Sequence, residues 1–208
     1  MTRGQAMRTS VFWTLAAGTI LYGICVGGVS VNLIAYLTTE GLSRIDAAAA
    51  AGLFGAATVV GRFAAGIVID RTRIHAARLM ALVLIAEALA FVLLGMEGAS
   101  YRYVALPIFG LAVGAEADCL AYSVIRIFGR RFFSSIFGIL GIVMLYIGTG
   151  IGPMLFSATR DVLGDYASAF YLWAAFASVA APLFASVARV PFLSVCPSGD
   201  GAPEGKRT

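Results

Sequence analysis

Lysine is nearly missing from this chain: it has 15 Lys and Arg residues, and Lys206 is the only lysine. Charge of either sign is scarce too, at 12% of the residues, about half of the roughly 25% usual for a soluble globular domain. So few charges exclude an ordinary water-coated surface. One histidine, His75, and three distant cysteines, Cys25, Cys119 and Cys196, leave neither a metal-ligand set nor a disulfide framework. The GxSxG, HExxH and paired CxxC patterns are absent, so nothing points to an enzyme or asks for a cofactor. The arginines stand in small clusters at the ends of apolar runs, which argues against a nucleic-acid surface.

What the chain has in excess is apolar residues: 60% of the total, with a mean hydropathy of +0.91. They fall into six segments at about 11–36, 47–69, 77–96, 102–124, 132–157 and 166–188. Each is near the roughly 20 residues needed to cross a bilayer. The first follows Arg3 and Arg8 as a secretory signal would, but it runs well beyond a signal's apolar core and reads as a retained helix. The links between segments are short, which forces antiparallel neighbours. The expected fold is therefore all-α and membrane-embedded: a six-transmembrane-helix bundle over 1–190. The Pro-, Gly- and Ser-rich stretch 191–208 is expected to be a disordered cytoplasmic tail.

Orientation follows from where Lys and Arg fall. The N-terminus, the second and fourth links and the tail hold Arg3, Arg8, Arg71, Arg73, Arg78, Arg126, Arg130, Arg131, Arg189, Lys206 and Arg207. The other links hold only Arg44, Arg102 and Arg160. That imbalance puts both termini in the cytoplasm. An internal repeat is also visible: Gly61, Gly66 and Asp70 recur as Gly152, Ser157 and Asp161, 91 positions later. The first and fourth segments begin at the same offset. Because three helices is an odd number, the second unit must be inverted, and inverted repeats mark secondary transporters.

Arg62 is the residue that most needs explaining, because it stands inside an apolar run. A cation there costs about 2.5–3.5 kcal/mol on insertion scales, so it requires a partner or a wet cavity. Glu116 and Asp118 lie in the fourth segment, and Asp118 and Arg62 sit at matching depths, roughly 6–8 Å from their helix centres. Residues two apart do not share a helix face, so only one of the acids addresses Arg62 directly. Asp118, Tyr122 and Arg126 follow at spacing four as a polar stripe. Tyr22 and Tyr146 fall near the centres of the first and fifth segments. Glu87 lies near the midplane of the third and reads as a protonated acid packed against a neighbouring helix. Asn32 and Tyr36 read as gate residues or interfacial anchors, His75 as a solvated loop residue, and Gly23 and Gly27 as a close-packing pair.

Three stretches carry a resemblance: GRFAAGIVIDR, GAEADCLAYSVIRIFGRRFFSSIFGILG and GTGIGPMLFSATRDVLGDYASAFYLWA. They resemble the C-terminal half of a major facilitator superfamily transporter, of the oxalate/formate antiporter and monocarboxylate transporter type. The superfamily's cytoplasmic loop motif begins with Gly66, Asp70 and Arg71, then departs from the pattern at Arg73 and Ile74. The lysine that oxalate-type members carry in the eleventh helix has no counterpart here, which favours a monocarboxylate or an unrelated small anion. The resemblance implies secondary transport of a small organic anion by alternating access, coupled to protons or a counter-anion, in a bacterial inner membrane. Arg62, Tyr22 and Tyr146 would bind the substrate. Asp118, Glu116, Tyr122 and Arg126 would couple or gate, and a static ion pair of Arg62 with either acid is the competing reading. Six helices supply one wall of such a site, so a complementary six-helix half or a second copy of the chain is the expected partner. A non-transporting remnant or regulatory membrane protein is the alternative. A membrane-embedded enzyme ranks below both.

Overall fold

The computed structural model describes residues 7–72, 74–130 and 133–189; the tail expected over 191–208 lies outside them, as does Arg73 of the loop motif. Six helices are long and apolar enough to cross a membrane: α1 (Ser10–Thr39), α2 (Arg44–Arg71), α3 (Ala76–Gly95), α4 (Ala99–Phe128), α5 (Phe133–Leu163) and α6 (Tyr166–Val187). Hydrocarbon offers the backbone no hydrogen-bond partners, so an apolar run of this length closes its own bonds as a helix.

The helix starts are set by side chains that accept the first free amides. Ser43 Oγ accepts from Asp46 N at 3.2 Å, His75 Nδ1 from Ala77 N at 3.3 Å and Asp165 Oδ1 from Ser168 N at 2.6 Å. Two ends need glycine: Gly129 after α4 and Gly164 after α5 have φ of +81° and +86°, a region closed to most side chains. Inside α5 the residues Val143–Gly148 wind as a π-helix, where the sequence suggested an uninterrupted span.

The packing follows the repeat. α2 packs chiefly on α4, and α1 on α5, while α3 packs against both α4 and α6, and α6 against both α1 and α3. Exchanging α1 with α4, α2 with α5 and α3 with α6 leaves this pattern unchanged. Burial obeys the same exchange. In the most apolar stretch of each helix, 56% is buried in both α1 and α4, 17% and 24% in α2 and α5, and 50% and 44% in α3 and α6.

Both cross-repeat seams are bare backbone. On the α2–α4 side, a methyl group added at Gly61 would overlap the Leu111 carbonyl, one at Gly110 that of Phe54, and one at Gly114 that of Thr58. On the α1–α5 side, a methyl at Gly148 would lie 2.6 Å from Gly23 Cα, one at Gly27 2.6 Å from Thr149 Cα, and one at Gly152 would overlap the Ile24 carbonyl. With no hydrophobic drive between helices in lipid, such close approach is what holds them together. Aromatic rings fill the remaining core: Phe156 packs on Phe170 and Trp173, and Phe109 on Phe54 and Phe91.

Candidate functional site

The two ends of the bundle differ in chemistry. At the basic end, α2, α3 and α4 enclose a cavity of about 430 Å³, lined by Ile69, Tyr122, Arg126 and Arg130 among others. There the Tyr122 hydroxyl donates to Asp70 Oδ1 at 3.3 Å, so the acid of the loop motif ties α2 to the polar stripe on α4. Arg71 is exposed, and Gly66 faces open space. His75, read from the sequence as solvated, instead caps α3 through Nδ1. Burial first, and then Arg126 and Arg78, hold its pKa below the ordinary value.

At the opposite end Tyr36, 2% exposed, donates its hydroxyl to the Leu94 carbonyl at 2.7 Å and accepts from Arg102 Nε at 3.2 Å. Arg102 is ion-paired with Glu40. Asn32 donates to the Gly28 carbonyl at 2.9 Å, and its Oδ1 accepts from Ser157 Oγ at 3.1 Å. Both Tyr36 and Asn32 therefore fasten helices together and are not interfacial anchors. Here too the Ser168 backbone amide, followed by its hydroxyl, holds the Asp165 carboxyl below the usual range.

Between the ends lies Arg62. Gly61 beside it is pressed on Leu111, and Gly114 of α4 sits against the Arg62 amide nitrogen. The backbone is fixed while the side chain is exposed on the barest helix of the bundle. Among the described residues the ion pairs are Arg102–Glu40 and Arg160–Asp161, and Arg62 belongs to neither. The static ion pair considered for Arg62 is not formed in this structure. Two residues beyond Gly114, Glu116 is only 5% exposed, and it lies in the fields of both Arg62 and Asp118. Asp118 itself is half-buried.

The tyrosines part company. Tyr146 is 71% exposed within the π-helix and lines a groove along α5 with Gly138, Gly141 and Thr149. Tyr22, expected on the cavity wall, is fully enclosed, so its hydroxyl faces the bundle interior and is not part of the open face. α1 is apolar on every side, and no periodicity in its sequence marks which face turns inward. Gly110 and Gly114 are absent from the sequence reading, although their GxxxG spacing is a usable signal; that reading of α4 rests on its acids and on the stripe from Asp118 through Tyr122 to Arg126.

These features define a class. Six membrane-spanning helices, arranged as two inverted three-helix repeats with the second helix of each left bare, form one half of the major facilitator transporter fold. Among solved structures the chain superposes on a variant of the E. coli fucose:proton symporter FucP, with a TM-score of 0.74 and 19% identity over 90% of this chain. It spans only 45% of the symporter's length. No family model and no curated protein matches the sequence. The likeness is one of fold, and the chain is a multi-pass integral membrane protein.

Proposed function

We propose that the chain is half of a secondary transporter that carries a small organic anion, a monocarboxylate, by alternating access. The observation that carries this reading is Arg62, a guanidinium on the exposed side of α2 with no ion pair among the described residues. A cation placed inside an apolar span at a cost of about 2.5–3.5 kcal/mol needs a reason. An anion arriving from water supplies one, because the planar guanidinium matches a carboxylate with two parallel hydrogen bonds. Tyr146, exposed on the repeat-related helix α5, would offer a second polar contact.

Glu116 and Asp118 are the coupling groups in this proposal. Glu116 already feels Arg62, so a substrate that neutralises the arginine changes the hold on the acid's proton. Proton coupling is in keeping with the symporter that shares the fold. Tyr122 and Arg126, four and eight residues beyond Asp118 on α4, line the cavity at the basic end and are the gating residues of this proposal. The excess of arginine at that end supports a cytoplasmic position for it, and the membrane in this proposal is a bacterial inner membrane. The bare faces of α2 and α5 would meet a complementary six-helix half or a second copy of the chain.

The test is uptake of a labelled small monocarboxylate into vesicles that contain the chain with a complementary half. Arg62→Ala removes charged hydrogen bonds worth about 1.5–3 kcal/mol, so transport should fall roughly ten- to a hundredfold. Unchanged uptake, or competition by a neutral sugar as strong as by another carboxylate, would overturn the reading.

A further inference from the structure

α3 buries Glu87 in the bundle, 0% exposed, and turns an apolar side to a gap beside α2. α2 and α3 each pack on α4 and scarcely on each other. A groove of about 320 Å³ therefore opens between them, with α4 as its floor. All twelve lining residues are Gly, Ala, Val, Leu or Ile, and Gly61, Ala64, Ala65, Ala86, Ala112 and Ala115 supply the room. The exposed Arg62, Phe63 and Ile67 of α2 lie outside this lining, which leaves their face free for the proposed partner half. The repeat provides a control. The counterpart groove, between α5, α6 and α1, measures about 200 Å³, with Leu21, Ile24, Leu155, Trp173 and Phe176 in its walls. The fold therefore does not require the wider groove; the small side chains of α2, α3 and α4 make it.

The groove leads to the basic end. Val68 in its wall is followed by Ile69 in the cavity of about 430 Å³, and Ala76 of that cavity lies one turn before Leu79 of the groove. The same three helices thus carry a hydrocarbon lining deeper in the span and Arg126 and Arg130 at its end. Arg71 and Arg78 are exposed at this end as well, and Arg126 and Arg78 both act on His75. Asp70, the acid found there, is engaged by the Tyr122 hydroxyl. The matching end of α1, by contrast, has no basic residue in its last turn. A lining without one hydrogen-bonding side chain suits neither a sugar nor a carboxylate, but it makes good dispersion contacts with an acyl chain. Guanidinium groups match phosphate oxygens with paired hydrogen bonds, and basic pockets between membrane helices hold anionic headgroups. We propose that the α2–α3–α4 groove binds one anionic phospholipid, with an acyl chain along the groove and the headgroup phosphate on Arg126 and Arg130. The lipid is held whether or not Arg62 receives an anion.

The experiment is native mass spectrometry of the delipidated full chain, titrated with phosphatidylglycerol, with phosphatidylcholine of the same acyl chains, and with inorganic phosphate. It needs neither substrate nor a partner half, so its outcome is independent of uptake. One phosphatidylglycerol should be retained per chain, and phosphatidylcholine about tenfold more weakly or less. Arg126→Gln combined with Arg130→Gln should weaken phosphatidylglycerol about thirtyfold and leave phosphatidylcholine unchanged. Both arginines are exposed, so their loss spares the packing. Ala64→Leu combined with Ala86→Leu narrows the groove, as larger side chains do in its counterpart, and both lipids should lose affinity together. Equal retention of the two lipids, or displacement of phosphatidylglycerol by inorganic phosphate at equal concentration, overturns the site. Unchanged binding to the arginine variant, or to a narrowed variant that remains helical by circular dichroism, overturns it too.

Discussion

α2 and α5 are repeat partners, and they are alike in how they pack and unlike in what they expose. Gly61 and Gly152, 91 positions apart, both press bare backbone onto a carbonyl of the other repeat. Both helices are left mostly uncovered by their own bundle. Yet α2 is an unbroken α-helix that exposes an arginine, while α5 changes to a π-helix over Val143–Gly148 and exposes Tyr146. Shared geometry thus lies in the seams, where glycine permits only one arrangement. The differences lie on the open face, where no packing rule constrains the residue. π-stretches inside α-helices often mark functional positions, and this one falls on the helix without the charge.

The likeness breaks most readily at the seams. Gly61→Ala and Gly152→Ala each force a methyl group onto backbone, and each should destabilise the bundle by about 1–3 kcal/mol in chemical unfolding from micelles. Equal losses would sharpen the repeat; a loss at only one site would break it. Asn32→Ala comes next. It removes the hydrogen bond to Ser157 that ties α1 to α5, at a cost of about 0.5–1.5 kcal/mol by the same assay. Gly66→Ala and Gly150→Ala meet open space and should gain up to about 1 kcal/mol from helix propensity. Glu40→Gln loosens the partly exposed pair with Arg102 and should cost no more than about 1 kcal/mol.

The smallest effect is one of pH. The His75 pKa is lowered in the fold, so the unfolded chain takes up a proton first as pH falls. The stability contributed by the neutral imidazole is complete above roughly pH 6.5. It declines as pH falls through the lower folded value, and protonation also blocks Nδ1 as the acceptor for Ala77. A denaturation series over mildly acidic pH should show this slope in the wild type and lose it in His75→Asn. Persistence of the slope would assign it to another group.

Much of the fold was legible in the sequence because lipid permits so little else: each span needs about 20 apolar residues, and six such runs are plain in the sequence. The helix ends were less legible. Hydropathy falls before the helix stops, so α1 continues through Thr38 and Thr39, and α2 starts where Ser43 caps it. The π-helix gave no signal, since no residue type separates that winding from the ordinary one. Arg62 and Glu87 stood out as charges in apolar runs. That one points out and the other in could not be read, because helices buried on one side and facing lipid or a partner on the other carry apolar residues all round. For the same reason Tyr22 was placed on the wrong side of α1.

The most direct measurement is chemical protection of Arg62. In vesicles that contain the chain and a complementary half, a guanidine-specific dicarbonyl reagent is applied with and without a small monocarboxylate, and the Arg62 peptide is weighed. The expected result is modification of Arg62 that the carboxylate suppresses and a neutral sugar does not. Modification at the same rate with and without carboxylate would contradict the assignment of Arg62 as the group that receives the anion.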